Sequence, residues 1–403
     1  MILFGTTNWS DMVYEVFDFL ISLASILFFA KVFGEIALKL GQNSVIGELL
    51  AGIFIGPSVL GIVRETPVLS NISELGVIIL LFEVGLSTDI KEFLKASGWA
   101  MVVAFVGVIV PYFLGYFVFL CFGLTDMQAI FAGAVLTATS VGVTVRVFMD
   151  LKCLKTEEAK IVLGAAIIDD VIGLTMLAVI LKLITGGIVS FGTVVCISGT
   201  AVLFLVLSVV AGVLIAPTIF KFISKMKQSY IAFIMGIVFC FIVSALSTKI
   251  ELGHIVGAFV AGLVLSTIKQ SEEIKKDIKS IYAVFVPIFF VLMGTKVDIS
   301  TFNPFVVANK EILILTGALF VVAFVGKIVA GFAVLKKGIN KLLIGVSMVP
   351  RGEVGLIFAE IGLKNNVFAT RDYSSLVAVI MLTTFITPII LKYLISKQKK
   401  IIQ

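Results

Sequence analysis

Two adjacent carboxylates, Asp169 and Asp170, sit in the middle of the apolar run G-A-A-I-I-D-D-V-I-G-L, Gly164 to Leu174. A charge at the centre of a membrane helix costs from roughly 3 to more than 10 kcal/mol. Folding gains nothing from two of them side by side, so the pair reads as a functional site. Successive residues on a helix point about 100° apart. Asp169 and Asp170 therefore cannot serve one partner in the same way. One can face a cation while the other pairs with a base.

Other polar groups at the same depth supply partners. Thr139 and Ser140 lie in L-T-A-T-S-V-G-V-T-V, from Leu136. Arg351 and Glu353 lie in G-V-S-M-V-P-R-G-E-V-G-L, from Gly345, and Lys327 lies in a separate apolar run. Buried charges persist when paired, and Lys327 is the cation available to the aspartates. A desolvated lysine can lose its proton, whereas an arginine effectively cannot. Lys327 thus suits a proton-linked partner and Arg351 a fixed charge, with Glu353 expected nearby. A static Lys327–Asp169 strut is the plainer alternative. A carboxylate flanked by hydroxyls and freed backbone carbonyls is a hard-oxygen site for a small alkali cation, and the same oxygens bind a proton. Competition for them is enough for exchange. No G-x-x-x-x-G-K-[ST] motif occurs, so the energy is expected to come from an ion gradient.

The elements that position these groups must be membrane helices. Of 403 residues, 60% are hydrophobic and 14% charged, where a soluble domain has about a quarter charged. Apolar runs of bilayer length recur, and alternating β-barrel segments do not dominate. We expect an all-α polytopic protein with thirteen spans, near 13–37, 43–62, 72–87, 97–121, 128–148, 157–181, 190–220, 229–247, 254–268, 281–295, 312–335, 341–362 and 373–395. With the N-terminus outside, the cytoplasmic loops and tail carry roughly three times the Lys and Arg of the outer segments, as the positive-inside rule asks. The net charge of +6 then reflects orientation and not nucleic-acid binding. No signal peptide is evident. Cys121, Cys153, Cys196 and Cys240 lack metal-ligand spacing and read as small hydrophobes or loop residues. His254 reads as a packed or solvated residue near a helix end.

The chain also repeats weakly. I-G-E-L-L-A-G-I-F from Ile46 and V-G-A-F-V-A-G-L-V from Val256 align Gly47, Ala51 and Gly52 with Gly257, Ala261 and Gly262. G-L-S-T-D-I, ending at Ile90, aligns Gly85 with Gly294 of G-T-K-V-D-I. Seven spans separate each pair, so the copies run in opposite directions. Inverted repeats with a midplane site characterise many secondary transporters. The Thr/Ser/Gly-rich stretch of span five and the Pro350–Gly352 stretch of span twelve are expected to break their helices. Unwound backbone at that depth must line a cavity or pack on protein.

The sequence resembles the monovalent cation:proton antiporters of the second family, which include NapA-type sodium/proton antiporters and the membrane parts of Kef-type potassium/proton systems. The matching motifs are I-G-E-L-L-A-G-I-F-I-G-P-S-V-L-G (Ile46–Gly61), L-F-E-V-G-L-S-T-D (Leu81–Asp89), T-S-V-G-V-T (Thr139–Thr144), Asp169–Asp170, G-K-I-V-A-G (Gly326–Gly331) and V-P-R-G-E-V-G-L (Val349–Leu356). The resemblance implies the inverted-repeat antiporter fold with two crossing broken helices. It implies a mobile core domain, about 72–181 and 281–395, and a dimer or panel domain, about 13–62 and 229–268, joined by a linking helix at about 190–220. It also implies Asp170 as the main Na+ and proton site, Asp169 as the partner of Lys327, and electrogenic exchange of two protons per cation.

A homodimer in the cell membrane, surrounded by lipid and without nucleic acid or cofactor, is expected. Kef-type proteins carry a nucleotide-binding domain after the last helix, and here a short basic tail is expected instead. Glu83 stands where many such relatives are expected to have an apolar residue, and its role stays open. The rivals are potassium as the principal cation, a non-transporting sensor of the same fold, and an intramembrane aspartyl protease. The last needs two aspartates converging from separate helices, and no Y-D or G-x-G-D pair occurs.

Overall fold

In a computed structural model, residues 9–184, 191–226, 228–250, 252–303 and 307–402 are described. Among them the chain forms fifteen α-helices, one short 3-10 turn and no strand. The first helices are α1 (Trp9–Lys39), α2 (Ser44–Ile55), α3 (Pro67–Leu86) and α4 (Ile90–Cys121). Next come α5 (Asp126–Thr137), α6 (Val141–Asp150), α7 (Glu157–Ile184), α8 (Phe191–Ile223), α9 (Ile231–Lys249) and α10 (His254–Leu265). The chain ends with α11 (Ser271–Thr295), α12 (Val307–Phe332), α13 (Lys341–Ser347), α14 (Glu353–Lys364) and α15 (Thr370–Ile402).

Nine apolar helical stretches among the described residues are long enough to cross a membrane. The thirteen expected crossings are not matched one for one. α2 and α10 are only 12 residues each, and expected spans five and twelve are each divided in two. Side-chain exposure shows the solvent these helices are built for. On α8, Leu214 and Phe222 are 71% and 68% exposed. Such a face is stable in lipid and not in water.

Local chemistry starts several helices. The Asn43 side chain accepts from the Val45 amide at the head of α2. Asp89 accepts from the Lys91 and Glu92 amides at the head of α4. Thr125 and Gln128 form a reciprocal capping box on α5, and Asn340 accepts from Leu343 at the head of α13. Each satisfies amides that the first turn leaves without a partner.

The chain divides into two compact units, residues 1–77 with 283–299, and residues 78–282 with 300–403. In the first, Gly52 of α2 lies against α11, where a Cβ would meet the Val291 carbonyl and the Gly294 Cα. In the second, Gly85 of α3 lies against α10 and would meet the Phe259 carbonyl and the Gly262 Cα. These are the four glycines that the sequence repeat aligns, Gly52 with Gly262 and Gly85 with Gly294. The helix of one copy crosses the partner helix of the other at the point where neither backbone carries a side chain.

The two expected breaks are present. α5 stops at Thr137 and α6 starts at Val141, with Ala138 at φ −59°, ψ 134° and Ser140 at φ −85°, ψ 100°. α13 stops at Ser347 and α14 starts at Glu353. Pro350 has no amide to continue a helical ladder. The breaks meet: the Ser140 amide donates to the Pro350 carbonyl at 2.8 Å. The Thr144 hydroxyl donates to the Ser347 carbonyl at 2.6 Å. Polar backbone exposed by one interruption is thus satisfied by the other, which meets the demand that lipid imposes.

Candidate functional site

Four elements position the site: α7 with the aspartates, α12 with Lys327, and the α5–α6 and α13–α14 breaks. α4 packs against α5, α7 and α12. Pro111, inside α4, lies against Gly326 of α12, the residue before Lys327. One turn earlier on α4, Gly107 faces the lysine itself, and a Cβ there would stand 3.5 Å from Nζ. Gly107 therefore borders the Lys327 side chain at ordinary contact distance.

Lys327 Nζ lies 3.4 Å from Asp169 Oδ2, with side chains 0% and 1% exposed. The other oxygen, Oδ1, is buried without a hydrogen-bond partner among the described residues. The Thr139 hydroxyl adjoins this carboxylate but donates to the Met348 carbonyl at 3.3 Å. Ser140 Oγ is also buried with no partner among the described residues, and a Cβ on Gly352 would meet it at 2.6 Å. Two buried side-chain oxygens, Asp169 Oδ1 and Ser140 Oγ, thus stand beside the broken helices.

Asp170 points elsewhere. It is half-buried and lines a narrow cleft with Leu81, Val141, Leu163, Ile167, Ile255, Val256 and Phe259. The 100° step between neighbours thus gives the aspartates different surroundings: Asp169 faces an ammonium, and Asp170 faces a mostly apolar cleft beside the first residue of α6. A helix N-terminus favours negative charge, so an ionised Asp170 and the start of α6 are compatible.

Arg351 is fully buried and works on backbone. Its Nη1 donates to the Val349 carbonyl. Its Nη2 donates to Leu136 at 2.8 Å and to Ala323 at 3.3 Å. Leu136 is in the last turn of α5, where carbonyls lack helical partners. A guanidinium with five donors can satisfy several at once. Its positive charge also acts on Asp169. Glu353, expected near Arg351, opens α14, and its side chain lies outside those described. Thr384 of α15, not singled out by the sequence, donates to the Arg351 carbonyl. Nothing in its local sequence marks it, because its role comes from a contact 33 residues away in the chain.

Lys327 and Thr139 thus gather around Asp169, with Arg351 close enough to act on it electrostatically. Ser140 is at the meeting of the breaks, and Asp170 lines its own cleft.

The family model described as "Sodium/hydrogen exchanger, transmembrane" matches residues 24–397. The chain belongs to the sodium/hydrogen exchanger family. This exchanger-family chain is 36% identical to the high-affinity Na+/H+ antiporter NhaS3 of Synechocystis sp., over 94% of this chain and 90% of that protein. It is 34% identical to the Na+/H+-K+ antiporter GerN of Bacillus cereus, over 95% and 98% of the two chains. It is 33% identical to a Na+/H+ antiporter of Enterococcus hirae, over 94% and 99%. Its fold is similar to that of the sodium proton antiporter MjNhaP1 of Methanocaldococcus jannaschii, with a TM-score of 0.61, 18% identity, and 93% and 96% of the two chains covered. The family consists of transporters and not enzymes. The protease reading is further opposed by geometry, since Asp169 and Asp170 face different neighbours and do not converge on one water.

Proposed function

We propose that this chain is a secondary active antiporter exchanging Na+ or Li+ for protons, electrogenically, at two protons per cation. The observation that carries the reading is the wholly buried Lys327–Asp169 pair one residue from Asp170. Asp170 takes either the cation or a proton. When the cation enters, the carboxylates bear its charge, Asp169 turns its oxygens toward it, and Lys327 gives up a proton. The buried Asp169 Oδ1, the Thr139 hydroxyl and Ser140 Oγ are the oxygens available to complete the cation's coordination. One proton from Asp170 and one from Lys327 then leave for each cation. The net charge moved lets the membrane voltage drive the cycle, at about 2.3 kcal/mol per charge per 100 mV.

Alternating access is achieved in this reading by a core domain, about 72–181 and 281–395, moving against a dimer domain, about 13–62 and 229–268. The protein works as a homodimer in a prokaryotic cell membrane, with the N-terminus outside and the C-terminus in the cytoplasm. The charge bias of the loops supports that orientation.

The test is exchange in proteoliposomes under an imposed pH gradient, with Na+, Li+ or K+ added in turn and a pH-sensitive dye recorded. A voltage clamp is applied in the sodium case. A sodium response that changes with voltage supports the proposal. Asp170→Asn is expected to abolish exchange while the protein still elutes as a folded species, and unimpaired exchange would remove Asp170 from the mechanism. A second reading, potassium as the principal cation, is favoured by the similarity to GerN, a Na+/H+-K+ antiporter. A response to potassium alone would establish it, and silence with every cation would favour a sensor.

A further inference from the structure

Glu83 is the acid that the proposed cycle leaves unused. It lies in the last turn of α3, is 8% exposed, and its Oε2 is buried without a hydrogen-bond partner among the described residues. The neighbouring helices bring charge to it. From α11, Lys279, which is exposed, acts on its carboxylate, as does Arg146 from α6. Arg146 is itself buried. Its guanidinium carbon stands 4.9 Å from the centre of the Tyr282 ring of α11, and its Nε stands 3.3 Å from Asp150. α10, which crosses α3 at Gly85, contributes no charge here: its titratable residue, His254, begins the helix at the far end. On the chain after α3, the next acid is Asp89, committed to capping α4.

The position of this group matters more than its burial. Leu81 of α3 and Val141 of α6 line the Asp170 cleft. Glu83 and Arg146 stand two and five residues further along the same two helices, a rise of about 8 Å on α6. Just past the end of α3 lies a polar depression lined by Asp89, Lys155, Lys160 and Lys275. The charged cluster therefore stands between that depression and the Asp170 cleft.

We propose that Glu83 is a positioning residue for cation entry from this side: ionised, it balances, together with Asp150, the positive charges of Arg146 and Lys279 and lets a cation approach Asp170, and protonated, it leaves the cluster one positive charge in excess, which repels the cation. This deepens the sodium/proton antiporter reading and rests on it. Over one to two helical turns, on the order of 10 Å, one unit of charge in a partly buried setting is strong enough to alter cation occupancy several-fold. The cluster then adds a pH dependence to cation affinity separate from the competition at Asp170.

The test is the apparent KM for Na+ in proteoliposomes, measured from acid to alkaline pH at low and high ionic strength. Absence of exchange by the unaltered protein would overturn the antiporter reading itself and is seen before any variant is compared. Given exchange, Glu83→Gln is expected to raise the apparent KM several-fold at alkaline pH with kcat nearly unchanged, and to flatten the pH dependence of KM. Glu83→Asp should keep that dependence, and Lys279→Gln in the Glu83→Gln background should lower KM again. A Glu83→Gln profile that overlays the unaltered one, or a loss confined to kcat, would overturn the proposal. Should Glu83→Gln not fold, Lys279→Gln alone at its exposed position is decisive. It should lower the apparent KM on the acid side, and an unchanged KM there overturns the proposal.

Discussion

Arg351 Nη2 donates to the carbonyl of Leu136 at 2.8 Å, across 215 residues of chain. The bond joins the end of one broken helix to the unwound segment of the other. A positive side chain therefore replaces the helical donors that both interruptions remove.

Arg351→Lys should separate this clamp from the charge. A lysine keeps the positive charge but has a single ammonium in place of the planar fork. Loss of one charged hydrogen bond to a buried carbonyl costs about 1.5–3 kcal/mol. A clear drop in melting temperature in detergent is expected, together with reduced exchange. A melting temperature equal to that of the unaltered protein would mean that the carbonyls find other donors.

The Lys327–Asp169 pair makes a different kind of prediction. Removing one partner of a buried ion pair leaves an uncompensated charge, at a cost of about 3–5 kcal/mol. Lys327→Ala and Asp169→Asn should each destabilise or alter electrogenicity, and the double variant should be more stable than Lys327→Ala alone. Strictly additive effects in the double-mutant cycle would show that the two side chains do not interact.

Close helix crossing predicts that Gly85→Ala is harmful although alanine favours helix. The added methyl would press on the Phe259 carbonyl and the Gly262 Cα, and overpacking costs about 1–3 kcal/mol. Gly98→Ala on α4 is the control, because nothing lies within 4 Å of its Cβ position. The thermal stability of the two variants should diverge in opposite directions. Equal loss from both would point to a backbone effect unrelated to the crossing.

Asp89, outside the spans, gives a prediction in pH. The amides of Glu92 and Lys91 that it accepts hold its carboxyl below the usual aspartate range. A depressed folded value means the cap contributes fully above the unfolded pKa, about 3.9, and is lost as pH falls through the folded value. Hydrogen-exchange protection at the start of α4 should therefore persist at neutral pH and fade only in strong acid. Asp89→Ala should remove it at every pH. Protection that is the same in the variant would assign the stability of this turn to packing.

Much of this molecule is legible from the sequence because lipid leaves few options. A run such as Gly164–Leu174 must be a helix, since backbone polar groups have no water to turn to. Two carboxylates inside it must then be functional or paired. The breaks at Thr139–Ser140 and Pro350–Gly352 are legible for the same reason, from residues that cannot continue a ladder. So are the glycines at positions 52, 85, 262 and 294, because a repeat preserves the sites where helices touch. Only the tertiary structure decides the partners. That Arg351 holds Leu136, Val349 and Ala323, that Gly107 borders Lys327, and that Thr384 donates to the Arg351 carbonyl are contacts set by the tertiary fold. Local spacing fixes which way a side chain leaves its own helix. What it meets there depends on how other helices cross, and that is set by packing over the whole fold.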